Sequence, residues 1–218
     1  MAENISDNNV VAVAGKIVSE KKFSHEVCGE GFYIFNLEVM RLSGEADVLP
    51  VTISERILEN ETIEVGKYMK IKGQLRSYNS YENKKNHLIL TIFARDIESA
   101  NVEDISNGPN QICLNGYVCR LPIYRTTPFG REISDILLAV NRPYNKSDYI
   151  PCITWGRNAR YTGKLKVGDN IKVCGRIQSR NYQKKLEDGS VVVKTAYEVS
   201  VSKLEICKKL DEIEETEK

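Results

Sequence analysis

An all-β protein of two tandem five-stranded barrels is the fold class that this sequence predicts. Three observations predict it: an internal repeat, a period-two alternation of apolar and polar residues in each copy, and glycines that recur inside the same strands of both copies. Sliding the 218-residue chain by 101 positions places Gly15 on Gly116, Leu37 on Leu138, Val39 on Val140, Arg41 on Arg142, Pro50 on Pro151 and Arg56 on Arg157 without a gap. One inserted residue then sets Gly66 on Gly168, Lys70 on Lys172 and Gly73-Gln74-Leu75 on Gly175-Arg176-Ile177. So long a repeat marks a duplicated domain and not a solenoid array. Domains of roughly 100 residues are large enough to enclose a core. The expected division is an N-terminal barrel over 1–100, a linker over 101–110, a C-terminal barrel over 111–207 and an acidic tail over 208–218. The linker, NVEDISNGPN, is polar and carries a Gly-Pro pair, which predicts an exposed connection.

Within the second copy the alternation predicts strands near 112–121, 131–141, 149–155, 170–182 and 191–204, and 156–165 fits a short helix between the third and fourth. The first copy repeats this order, with 55–62 in the helix slot. Five strands with one short helix between strands three and four is the order of an OB-fold, a partly open Greek-key barrel. The pattern alone also accommodates an SH3-like barrel. Gly15 and Gly116 in the first strand, and Gly73 and Gly175 in the fourth, suit sharp bends at barrel corners.

The formal charge of +1 averages unlike parts. Residues 1–109 hold 12 Lys or Arg against 17 Asp or Glu, giving −5, whereas residues 110–207 hold 16 against 8, giving +8. Residues 208–218 hold 3 against 5, giving −2. The second module alone therefore prefers polyanions. Aromatic rings are interspersed with its cations: Tyr144, Tyr149 and Trp155 among Arg142, Lys146, Arg157 and Arg160, then Tyr182 among Arg176, Arg180, Lys184 and Lys185. Rings that stack on bases, with cations that neutralise phosphates, are the means by which single strands are held without sequence preference.

Tyr149 and Trp155 share one face of an extended strand, and the alternation alone permits either face. Ile150 and Cys152, of the opposite parity, are the better core candidates, which puts the two rings on the open side. Tyr144 and Tyr182 have the polar neighbours of loop or strand-end positions. The first copy acts as a control: Ser43, Val48 and Ser54 stand where the second has Tyr144, Tyr149 and Trp155, and only Tyr81 or Ser80 answers Tyr182. Framework positions persist in both copies and candidate stacking residues do not, so the first module is expected to be mainly structural or a weak binder.

Six cysteines lie mostly in alternating apolar runs without a Cys-x-x-Cys pair, and His25 and His87 are remote from them in sequence. They are expected to be small, reduced, buried hydrophobes, with no metal and no cofactor. No run approaches the ~18 apolar residues of a membrane span, and no signal region opens the chain, so a cytoplasmic protein away from the membrane is expected. No phosphate-binding loop, zinc-protease or nucleophile-elbow motif occurs, and no carboxylate spacing marks an acid/base pair, so enzyme activity is not expected.

The second module resembles the bacterial single-stranded DNA-binding protein family. The resemblance rests on Leu114-Asn115-Gly116, on the run from Pro122 to Gly130, on Leu138 to Arg142, on Tyr149 to Ala159, on Gly168-Asp169, on Gly175 to Tyr182 and on Thr195 to Val199. It implies sequence-independent binding and protection of single strands in replication, recombination and repair, with Tyr144, Tyr149, Trp155 and Tyr182 at the base-stacking positions. Arg125, Arg142, Lys146, Arg157, Arg176, Arg180 and Lys184 are the expected phosphate contacts. The resemblance also implies four OB-folds acting together, which a homodimer of this two-fold chain would supply. Many family members recruit replication and repair proteins through an acidic tail with an apolar tip; this tail is short, acidic and lacks a terminal aromatic. The alternative reading is an OB-fold adaptor or primosomal accessory protein that binds proteins or RNA.

Overall fold

Residues 8–58, 61–82, 85–106, 110–185 and 189–208 are described by the structure, a computed structural model. The first half contains β1 (Asn9–Ile17), β2 (Lys22–Val27), β3 (Glu30–Met40), β4 (Ala46–Ser54), α1 (Glu55–Leu58), β5 (Tyr68–Glu82) and β6 (Lys85–Ala100). After α2 (Val102–Ser106) the second half repeats the order with β7 (Asn110–Val118), β8 (Ile123–Thr126), β9 (Glu132–Arg142), β10 (Lys146–Trp155), α3 (Arg157–Thr162), β11 (Asn170–Lys185) and β12 (Val191–Lys208). Among the described residues no helix is long and apolar enough to cross a membrane.

Each half closes on itself as an OB-fold. In the first, β1 pairs with both β3 and β5, β3 with β4, β4 in parallel with β6, and β6 with β5. The second repeats the ring through β7, β9, β10, β12 and β11. Repeat-equivalent positions fill the two cores: Val11 and Ile112, Phe35 and Ile136, Leu37 and Leu138, Leu49 and Ile150, Val51 and Cys152 are all buried. The corner glycines make room for backbone. Ladder shifts fall at Lys72/Gly73 and Cys174/Gly175. A Cβ on Gly73 would lie 2.2 Å from the Phe93 carbonyl oxygen, and one on Gly175 2.0 Å from that of Ser200. No side chain fits there.

The two barrels share an edge. β1 pairs antiparallel with β7, with Val11 opposite Ile112 at the centre of the ladder, so the strand order runs as a palindrome through one 12-stranded sheet. The same polar contacts are made twice about this centre. The Asn9 side-chain amide bonds both backbone groups of Leu75 (2.8 and 2.9 Å), as Asn110 bonds those of Ile177 (2.9 Å each). Asp47 accepts from the Ser179 backbone N–H (2.6 Å) and hydroxyl (3.0 Å) and from Arg41 (2.7 and 2.6 Å). Its counterpart Asp148 accepts from the Ser77 N–H (2.6 Å) and from Arg76 (3.2 Å), with Arg142 Nε 3.2 Å away. Both carboxylates are fully buried, so their pairing across the seam offsets a desolvation cost of several kcal/mol per ion.

The two seam carboxylates titrate in opposite directions. Burial raises both. At Asp47 the Arg41 and Ser179 hydrogen bonds outweigh it and hold the carboxyl below its ordinary value, whereas at Asp148 burial prevails over Ser77, Arg142 and Arg76.

Three expectations need correction. Among the described residues each half has six strands, the five of its ring and a short addition, β2 or β8, whose residues are all exposed; a strand with neither face buried lacks the alternation that betrays one. The linker carries a helix, α2, too short to show a 3.6-residue period, and Asn110 belongs to β7 and to the seam. The cysteines are not uniformly reduced and buried. Cys113 and Cys174 form a disulfide, Cys28 and Cys207 are exposed, Cys119 is half-buried, and only Cys152 of the free thiols is buried. The bonded pair is 61 residues apart in sequence, but strands β7 and β11 set the two directly opposite.

Candidate nucleic-acid interface

The β9–β10 hairpin determines where the rings of the second module point. Along β10 the residues of even number, Asp148, Ile150, Cys152 and Thr154, are buried, while Tyr149 and Trp155 remain 46% and 40% exposed. The Trp155 indole N–H donates to Ser200 Oγ on β12 (3.2 Å), which ties the ring across to the neighbouring strand. At the hairpin tip Tyr144 and Asn145 both take positive φ, 63° and 54°, after Pro143. That conformation is uncommon for a bulky residue, and it holds the Tyr144 ring 94% exposed. Tyr182, on β11 opposite Lys194 of β12, is 38% exposed near the end of the long β11–β12 ribbon.

Trp155 borders a groove of about 720 Å³ lined by Arg131, Arg176, Gln178 and Ser200 of the second half and by Arg41 and other residues. Arg176 is exposed and donates to Gln178 (3.3 Å). Lys146, Arg157 and Arg180 are also exposed, and Lys184 is half-buried. Arg180 approaches Glu198 at 4.0 Å, while Arg125 on β8 is engaged by Asp135 at 3.0 Å. Glu132 receives both the Tyr124 hydroxyl (2.5 Å) and Arg160 (2.7 Å). The Tyr124 hydrogen bond, despite some desolvation, helps hold this carboxyl below its ordinary range.

Arg142 stands apart from the other expected phosphate contacts. The structure places it in the seam against Asp148, as Arg41 lies against Asp47. A signal for this was present: Arg41 and Arg142 occupy the same place in both copies, as framework residues do. Arg131, on the groove wall beside Trp155, escaped the sequence reading because nothing aromatic adjoins it in sequence except Phe129. In the first module Ser43 and Val48 are exposed and Ser54 is buried; the side chains of Ser80 and Tyr81 lie outside the described residues. Residues 209–218 of the acidic tail also lie outside them. No group of three or more His, Cys, Asp or Glu positioned for a metal occurs among the described residues.

With this geometry in hand, comparison with known proteins is specific. Residues 109–207 match the model of the single-strand binding protein family. The second module is similar to that family. It is 36% identical over 93 residues to a single-stranded DNA-binding protein of Oceanobacillus iheyensis, a match covering 39% of this chain and 56% of that one. Single-stranded DNA-binding protein A of Bacillus subtilis is 37% identical over 81 residues, covering 34% and 47%. The chain thus spans about half the length of the curated relatives it matches. The wild-type single-stranded DNA-binding protein of Thermus aquaticus shares the fold across both halves, with a TM-score of 0.72 at 20% identity over 92% of this chain and 93% of that one. A dimeric structure of the N-terminal domain of PriB protein from Thermoanaerobacter tencongensis is 52% identical, covering 44% of this chain and 99% of that one, with a TM-score of 0.39.

Proposed function

We propose that the chain binds single-stranded DNA without sequence preference, through the second module, and so coats and protects exposed strands in replication, recombination and repair. The observation that carries this reading is the exposure of Tyr144, Tyr149, Trp155 and Tyr182 on a basic module, with Trp155 on the wall of the groove that Arg131 and Arg176 also line. A duplex keeps its base faces inside the helix, so exposed rings select a single strand; the flanking cations neutralise phosphates. No covalent chemistry is required. Arg125 is engaged by Asp135, which leaves Lys146, Arg157, Arg176, Arg180 and Lys184 as the stronger phosphate contacts.

Two chains would bring four barrels together, and sedimentation at twice the 24.7 kDa chain mass tests that assembly. The acidic tail is the segment we assign to recruitment of replication or repair proteins, tested by its truncation.

The deciding experiment titrates the protein with oligo-dT at low and high salt while following Trp155, the single tryptophan, with matched duplex as competitor. Quenching by the single strand that weakens steeply as salt rises is expected. Absence of both quenching and binding would overturn the reading.

A further inference from the structure

Ser54 leaves the first module without a counterpart of Trp155, yet the surrounding strands restore rings to the same place. In the second module Trp155 stands opposite Ile133 of β9, and β12 brings Ser200 alongside Ile153. In the first, Ser54 stands opposite Phe32 of β3, and β6 brings Phe93 alongside Thr52 in the same register. One large ring above two non-aromatic neighbours has become one small residue between two rings. Phe32 and Phe93 lie 5.8 Å apart, and His25 stacks on Phe32 at 5.0 Å, nearly parallel at 9°. At the other end the guanidinium groups of Arg76 and Arg95 sit 5.9 and 5.7 Å from the Phe93 centroid. Gln74 Oε1 accepts from both arginines, at 2.6 and 3.2 Å, and holds them there.

This row has the chemistry of a base-binding ladder. Its inner members Phe32 and Phe93 are half-buried, whereas its ends, His25 and Arg95, are planar groups open to solvent. Bases stack on imidazole and guanidinium planes as they do on aromatic rings. The adjoining groove, about 500 Å³, includes Lys72, Arg76, Arg95 and Arg142 in its lining. Lys72 is shared with Asp96 and Glu98, and Arg76 and Arg142 both face Asp148. Arg95 differs: among the described residues it has no carboxylate partner, so its charge remains available to a phosphate.

We propose that the first module carries a second single-strand subsite, in which bases stack on Arg95 and His25 at the ends of the His25–Phe32–Phe93 row. The inference rests on reading the second module as a single-strand binder, and of the two roles that Ser43, Val48 and Ser54 left open, structural or weakly binding, it takes the second and gives it residues. Because the first module is acidic overall, attraction here is local, and stacking outweighs phosphate neutralisation.

The test uses the full chain and oligo-dT of about 8 and about 30 nucleotides, within and beyond the reach of one OB-fold. Arg95→Ala and His25→Ala, both exposed positions, are expected to weaken binding of the longer strand about fivefold to tenfold each, while Trp155 quenching by the shorter strand is unchanged. Oligonucleotides carrying 5-iodouracil should crosslink on irradiation to His25, Phe32 or Phe93 as well as to the second module. Wild-type affinity in both variants, with crosslinks confined to 144–182, would overturn the subsite and leave the second-module reading standing. Failure of even the shorter strand to quench Trp155 would overturn both.

Discussion

The two halves of this chain share a frame to within a residue and differ on the face that the frame presents. Leu37 and Leu138, Leu49 and Ile150, and Val51 and Cys152 fill equivalent core positions, and Asn9 and Asn110 make the same pair of seam contacts. On the open side, Trp155 next to Ile133 and Ser200 becomes Ser54 next to Phe32 and Phe93. A barrel tolerates relocation of a ring between adjacent strands, because Cβ atoms of directly opposed residues lie about 5 Å apart and reach the same patch of surface. Comparing such copies one aligned position at a time misses this kind of replacement.

The largest effects should come from the shared frame. Gly175→Ala and Gly73→Ala each drive a Cβ into a carbonyl oxygen of the neighbouring strand. Each is expected to cost about 3 kcal/mol or more, read as a fall in thermal midpoint. A large loss at one glycine and none at the other would break the equivalence of the two corners.

Next come the seam carboxylates, which sharpen the comparison through the sign of their pH dependence. Asp47, held below the ordinary value of 3.8, contributes stability that is full above that value and lost as pH falls through its folded pKa. Asp148, raised above 3.8, contributes stability that is greatest below that value and lost as pH rises through its folded pKa. The deficit of Asp47→Asn, about 2 kcal/mol at neutral pH, should therefore shrink on acidification. That of Asp148→Asn should grow. Urea titrations of both variants at pH values either side of 3.8 would show it, and parallel pH profiles would refute the contrast.

Trp155→Ala is expected to weaken oligo-dT binding by about 1–3 kcal/mol in a chain that still folds, whereas Ser54→Ala leaves binding as it was. Equal affinity of folded Trp155→Ala and wild type would remove the stacking role. Smallest of all, Lys146→Ala and Arg157→Ala should each lower the salt slope of binding by about one or less, measured by repeating the titration at several salt concentrations.

Much of this was legible in the sequence because it depends on local periodicity. The 101-residue repeat announced two like domains, and the parity of Ile150 and Cys152 against Tyr149 and Trp155 told core from open face on β10. Strands β2 and β8 were illegible because neither buries a face. Arg142 sits among Tyr144, Lys146 and Tyr149 in sequence and so passed for a phosphate contact; its carboxylate partner, Asp148, is only six residues away, but its burial depends on β5 of the other half.

The sequence by itself determined the duplicated all-β frame and the asymmetry of charge, and it pointed to the open side for the four rings of the second module. Each follows from alternation, composition or the repeat. Only the tertiary structure decided that the barrels fuse edge to edge, that Cys113 meets Cys174, that Arg41 and Arg142 serve the seam, and that Phe32, Phe93 and Arg95 converge. Each of these depends on a strand tens of residues away, for Arg41 and Arg142 the Ser179 and Ser77 strands that bury their carboxylate partners, and sheet order and register bring them together; no short-range periodicity records either.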